Sequence, residues 1–319
     1  MLESESQVNI SAENLCIEDH QVFDKEFFQN PLASPSKPDL NSSSYLDNHN
    51  REFAQFPIRY NNSLTWHTVT GPGFCGATHP GAGKVLNLFQ NGANIISNDD
   101  CLYVNPSERI FAISDAPERS TYARRLLTHI DRNLSDGCRD LQDIINTADR
   151  TIGADDHATL SLLHIPCEQT VHQLKAWAFI AGDTLLFHGN RFNQKLVHMN
   201  GTQHFIGRSH GRCEPQVVDL VNGDFFVIAS DGISDVRANG DETINQSLRN
   251  LIDVDDLYGS TLAIMQECNR TVMGSRFRAD SYGLGFDNVS VFLVYPEDLS
   301  DCVHNETALL GGWQKALGR

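Results

Sequence analysis

The length and spacing of its apolar runs constrain this chain more than any other feature. SLTWHTVT, CLYV, RIFAIS, ATLSLLHI, KAWAFIAG, TLLFHG, DFFVIAS and VSVFLVY are short and rich in β-branched and aromatic residues, which predicts strands. Several neighbours are joined too tightly to be parallel, because a parallel crossover takes about a dozen residues or more. Helical periodicity enters in pairs between them. Tyr122, Leu126 and Ile130 fall on one face of a first helix, with Pro117 suited to its opening turn. Leu141, Ile144, Ile145 and Ala148 line a second, and two more are expected over residues 244–252 and 257–268. The pattern predicts a layered α+β fold, antiparallel sheets with helices packed outside.

The chain has 319 residues, 40% of them hydrophobic, enough to bury a large core. Residues 53–319 read as that single domain. Residues 1–52 are polar and end in NPLASPSKPDLNSSSYLDNHN, so they are expected to form a flexible or loosely docked leader. Charge argues against nucleic acid and anionic lipid as partners: 24 basic and 41 acidic residues give 24 − 41 = −17. The eight cysteines show no CxxC spacing, which fits reduced core thiols and not a disulfide frame or zinc site. The opening MLESESQVNISAENL lacks an apolar signal region, and no run approaches membrane-spanning length. A reducing cytoplasm is the expected location.

Three motif-like stretches dissolve on inspection. GPGFCG fits GxGxxG, but no helix pattern opens from it and a Gly-rich hairpin explains it better. GAGKV lacks the glycine and the Ser or Thr that a phosphate loop needs. DVDDLYG resembles a calcium loop until Leu257 and Tyr258 fall on ligand and glycine positions, so helix capping by Asp255 or Asp256 is expected instead.

The strand ends carry the functional signal. RIFAIS ends on Asp115, KAWAFIAG on Asp183 and DFFVIAS on Asp231, while VSVFLVY begins just after Asp287-Asn288 and CLYV just after Asp99-Asp100. In antiparallel sheets the start of one strand lies beside the end of its neighbour, so these acids can share one rim. Two unit charges about 4 Å apart repel by roughly 4 kcal/mol at an effective dielectric near 20. The acids are therefore either dispersed in solvent as ordinary turn residues or held together by cations. Oxygen-only ligands suit Mg²⁺ or Mn²⁺ over zinc.

Asn98-Asp99-Asp100, FAISDAP, FIAGDTLLFHGN, GDFFVIASDGISD and FDNVSVFLV stand in the order and spacing of motifs in the metal-dependent Ser/Thr protein phosphatases of type 2C (PPM), which the chain resembles over roughly residues 85–297. The resemblance implies a β-sandwich of two antiparallel sheets flanked by pairs of α-helices, with two Mg²⁺ or Mn²⁺ ions bridged by water at one sheet edge. Asp115 would bridge both ions and the Ala116 carbonyl would join one of them. Asp231 and Asp287 would complete the other site, with Asp99 or Asp100. Asp183 matches the position that helps a third, looser ion in some members. Asn288 and Asp235 would orient the ligands. Catalysis would then rest on Asp115, Asp231 and Asp287, through hydroxide attack on the phosphoryl group without a phospho-enzyme.

Two departures bear on that expectation. The family's Asp-Gly-His or Asp-Gly-Met segment is Asp115-Ala116-Pro117 here, and Pro117 removes both a donor and any histidine acid at that position. The arginine that often precedes the first acidic pair is missing, since Gly92 to Ser97 carries no cation. Arg119 is the candidate replacement for gripping phosphate, against the plainer reading of a solvated surface arginine. The expected function is hydrolysis of phosphoserine and phosphothreonine in proteins. The alternatives are a catalytically weak or silent module that binds a regulatory partner, and a phosphatase of small phosphorylated molecules.

Overall fold

Strands that are apolar on both sides of the pleat must be covered on both faces, and the central strands of this chain are. The computed structural model describes residues 16–21, 65–81, 98–118, 120–152, 156–167, 174–193, 195–207, 212–235, 244–274, 287–299 and 307–312. One antiparallel sheet has seven strands in the order β1 (Cys16–Gln21), β2 (Thr65–Gly71), β3 (Phe74–His79), β12 (Val289–Val294), β11 (Asp224–Ala229), β8 (Leu185–Asn190) and β9 (Lys195–His198). The other has six, in the order β10 (Gln216–Asp219), β7 (Lys175–Ala181), β6 (Leu160–His164), β5 (Ile110–Ser114), β4 (Cys101–Asn105) and β13 (Ala308–Gly311). Every strand pair in both sheets is antiparallel.

Alternate residues divide these strands between separate apolar layers. Phe111 and Ile113 of β5 meet Phe226 and Ile228 of β11 and Phe292 of β12 in the layer between the sheets. Their neighbours Ile110 and Ala112 face the other way, onto α1 (Tyr122–Ser135) and α2 (Leu141–Ile152), where Leu126, Ile130, Ile144 and Ala148 wait. Val227 and Ala229 likewise turn outward onto α3 (Ile244–Leu251) and α4 (Leu257–Gly274) through Leu248, Ile264 and Met265. The chain is thus an α-β-β-α stack, as its pattern predicts. No described helix is long and apolar enough to cross a membrane.

The structure refines several details. Gly71 and Phe74 pair across a two-residue Pro72-Gly73 turn, so GPGFCG is a hairpin; Gly73 sits at φ +73, and a Cβ there would meet the Leu299 nitrogen at 2.6 Å. Helix α1 begins at Tyr122, not near Pro117. Pro117 instead opens a turn closed by Ser120 N donating to Pro117 O (2.8 Å). Within the segment expected to be a leader, Cys16–Gln21 pairs with β2 from Cys16↔Thr70 to Gln21↔Thr65.

Asp256 caps α4: its Oδ1 accepts from Gly259 N (2.9 Å), and its carbonyl accepts from Ser260 N (3.0 Å). Asp256→Ala is expected to cost about 1 kcal/mol, read as a lowered urea midpoint.

Candidate metal centre

Strand order brings the acids to one rim. Cys101 of β4 pairs with Ser114 of β5, which sets Asp100 beside Asp115. On the other sheet Ala229 of β11 pairs with Val291 of β12, and Ser230 N donates to Ser290 O (3.0 Å), so Asp231 lies beside the Asp287-Asn288 corner. Asp183 sits between, on residues 182–184, where the chain passes from β7 in the six-stranded sheet to β8 in the seven-stranded one. A cavity of about 350 Å³ opens on this rim, lined by Asp99, Asp115, Ala116, Asp183, Asp287 and Asn288. Pro117, Glu118, His157, Thr159 and Phe205 complete its wall.

Backbone and side-chain hydrogen bonds hold the acid-bearing corners. Thr159 Oγ1 accepts from Asp115 N (2.9 Å), and Thr159 N donates to Asp115 O (2.8 Å). Asn288 ties three segments together: its Oδ1 accepts from Asp99 N (3.0 Å), its Nδ2 donates to Pro80 O (3.1 Å), and its N donates to Asp287 Oδ1 (2.8 Å). Asn98 Nδ2 donates to Thr78 Oγ1 (2.8 Å), which meets Ser290 Oγ at 2.7 Å. Ser290 N donates to Ser230 Oγ (2.9 Å). Gly232 is required here for close approach, since a Cβ would lie 2.0 Å from Asn288 O.

The carboxyl groups disturb one another strongly. Burial, and then the charges of Asp100, Asp231 and Asp287, push Asp115 up to about 10. Burial likewise raises Asp231 to about 7, with Asp287, Asp100 and Asp183 adding to the rise. Asp100 is raised to about 6 by burial; the nearby Ser230 and Ser290 hydroxyls offset part of it and Asp287 adds to it. These shifts have the cause expected of like charges gathered in a poorly solvated place. They also distinguish the first acidic pair. Asp100 exerts its charge on both Asp115 and Asp231, whereas Asp99, 2% exposed, lines the cavity beside Asn288.

Both carboxylate oxygens of Asp100, and Oδ1 of Asp231, are buried without a well-aligned hydrogen bond, the Ser230 and Ser290 hydroxyls lying near Asp100 and only partly satisfying it. Such oxygens are costly to leave without a partner. Among the described residues lining the cavity there is no Lys or Arg. In kind and in charge the donors therefore fit a hard divalent cation. Their spacing is looser: no three described His, Cys, Asp or Glu side chains are drawn into a ready ligand set.

Asp235 ends the 3₁₀ turn Asp231–Asp235, one turn beyond the rim; its side chain lies outside the described residues, as does all of Arg119. The wall residues Thr159, His157 and Phe205 were not legible as site residues. ATLSLLHI reads as a uniform strand, and only the pairing of β6 with β5 shows that its first residues reach the rim.

No family model matches the chain, and no curated protein matches it in sequence. Solved structures do. The chain is similar to PppA, a key regulatory component of T6SS in Pseudomonas aeruginosa, with a TM-score of 0.50 and 14% identity over 72% of this chain and 99% of that one. Weaker likenesses include the Mycobacterium tuberculosis serine/threonine phosphatase PstP/Ppp, at TM-score 0.47 and 13% identity over 70% of this chain and 97% of that one. Another is the catalytic domain of PstP in complex with two manganese ions, at TM-score 0.46 and 14% identity over 70% and 96%. The fold is a PPM-type phosphatase fold. At such identities the likeness is one of fold alone.

Proposed function

We propose that the protein is a Mg²⁺- or Mn²⁺-dependent phosphatase acting on phosphoserine and phosphothreonine in proteins. The observation that carries this reading is the set of Asp100, Asp115, Asp231 and Asp287, which press on one another at the rim where Asp115 and Asp287 line a cavity with no described Lys or Arg in its wall. A phosphate dianion is repelled from such a cavity unless cations are present, so the same feature that demands a cation makes it the condition for substrate entry. Asp100, Asp115, Asp231 and Asp287 would hold two ions, with Ala116 O beside Asp115 and Asp183 at a looser, third position. Of the first acidic pair, Asp100 is the assigned ligand and Asp99 faces the cavity. When bound, the cations would supply an acidified water and a clamp on the phosphoryl oxygens. Asn288 fixes the Asp99 and Asp287 corners, and Thr159 fixes Asp115. Asp235 would help to orient the ligands and Arg119 would grip the phosphate.

Hydrolysis of a phosphothreonine peptide with Mn²⁺ is the direct test. Turnover should vanish on chelation, return with excess Mn²⁺, and fall by at least about 10³-fold in Asp231→Asn. Chelator-insensitive turnover, or an active Asp231→Asn protein, sinks the reading.

The Asp115-Ala116-Pro117 segment and a cavity wall without a described Lys or Arg favour a second reading, a silent relative that binds a partner. Mn²⁺ binding by calorimetry without turnover on peptide or small ester would select it. Turnover on small esters alone would select a small-molecule phosphatase.

A further inference from the structure

Among the ionisable residues of the cavity wall, all are carboxylic acids except His157. His157 stands with Phe205 and Thr159, in the same wall as Asp115 and Asp183, and its backbone and ring are both held. Ala158 N donates to Ile206 O and Ile206 N donates to Ala158 O, each at 2.9 Å, an isolated bridge that sets His157 beside Phe205. The two rings meet edge to face, with centroids 5.0 Å apart and planes at 82°. His157 Nδ1 is buried without a hydrogen bond, 3.4 Å from Asp156 Oδ1, the oxygen that accepts from His157 N (2.9 Å). That leaves Nε2 as the nitrogen available to the cavity. An exposed histidine of no consequence needs neither an aromatic clamp nor a carboxylate behind it. A histidine placed to give a proton needs a fixed ring, and a neighbouring carboxylate favours its protonated form.

We propose that His157 is the proton donor to the leaving alcohol, an inference that rests on the phosphatase reading above. Hydrolysis forms a P–O bond from water and breaks the P–O bond to the serine or threonine oxygen. The electron pair of the broken bond stays on the departing oxygen, which takes the proton from His157 Nε2. The attacking water releases its proton to solvent, and solvent reprotonates the imidazole. A serine or threonine alkoxide leaves poorly without that proton, and a positioned acid typically contributes about 10²–10⁴-fold. The carboxyl groups in the wall are poorly suited to the task once cations claim them as anions. Glu118, the remaining acid, lies exposed at the mouth.

The test compares two leaving groups in the Mn²⁺-loaded protein, because p-nitrophenolate departs without a proton and a peptide serine does not. His157→Asn should lower kcat for a phosphoserine peptide by about 10²-fold and leave kcat for p-nitrophenyl phosphate within about threefold. Mn²⁺ binding by calorimetry should match that of the wild type. Equal losses on both substrates would assign His157 a purely structural role, and unchanged peptide turnover would remove it from the reaction; either overturns the inference while the phosphatase reading stands. A wild-type protein inactive on both substrates fails the phosphatase reading itself, and the inference goes with it. Retained activity on the aryl ester serves as the check that the variant is folded.

Discussion

At pH 8, without divalent cations, Asp100→Asn is expected to melt about 5 °C higher than the wild type, and the same substitution should remove most of any stabilisation by Mn²⁺. Asp100 is raised from 3.8 to about 6 in the folded chain, so it binds its proton more tightly folded than unfolded. Its contribution is fully present below about pH 4 and is lost as pH rises through 6. Asp231 extends the loss to about pH 7, and Asp115 further toward alkaline pH, since both are raised as well. By pH 8 the ionised Asp100 alone weakens the fold by on the order of 3 kcal/mol. Asn removes the charge but leaves a buried amide, which reduces the gain. The remainder corresponds to about 5 °C for a domain of this size. Scanning calorimetry of the metal-free protein between pH 5 and 8 reads this directly: the wild type should lose stability across the window, and saturating Mn²⁺ should restore more at pH 8 than at pH 5. A wild type whose metal-free stability is flat or rising across that range contradicts the gathered acids.

Gly232→Ala is expected to cost about 3 kcal/mol and to weaken Mn²⁺ binding at least about tenfold. The added Cβ would lie 2.0 Å from Asn288 O and 3.0 Å from Asn288 C. These are backbone atoms at the head of β12, held where Ser230 and Ser290 exchange hydrogen bonds, and they cannot yield as a side-chain tip would. Relief must come from parting the Asp231 turn from the Asp287 corner. Gly137→Ala, beyond the end of α1, is the contrasting case: its φ is +89 but a Cβ there meets nothing within 4 Å. Only backbone strain opposes it, about 1–2 kcal/mol, and Mn²⁺ affinity should not change. Urea denaturation with Mn²⁺ calorimetry separates the two; equal effects on affinity would refute the close approach at Gly232.

What could be read from the sequence was what burial writes into it. β5, β11 and β12 are covered on both faces, so they appear as unbroken apolar runs, and the helices show a wet and a dry side at the helical period. The edges leave weaker marks. β10 alternates, with Val217 54% exposed, and β1 is the polar CIEDHQ; both are strands because a neighbour's backbone pairs with them. Side-chain chemistry hardly records that kind of pairing. The acids were conspicuous because each interrupts an apolar run. Thr159 and His157 were hidden because their importance depends on which strand lies next to β6, a fact of topology with no local signature.

Asp99, Asp100 and Asp115 belong to one sheet, Asp231 and Asp287 to the other, and Asp183 to the link between them. The acidic rim is therefore a caliper set across the sandwich. Its jaws open or close with the thickness of the filling, where Phe111 meets Phe74 at a tilt and Phe292 edge to face, with centroids 5.1 and 5.9 Å apart. A change of ring size deep in that filling would be felt at the rim as a change of ion grip, without a single ligand being touched.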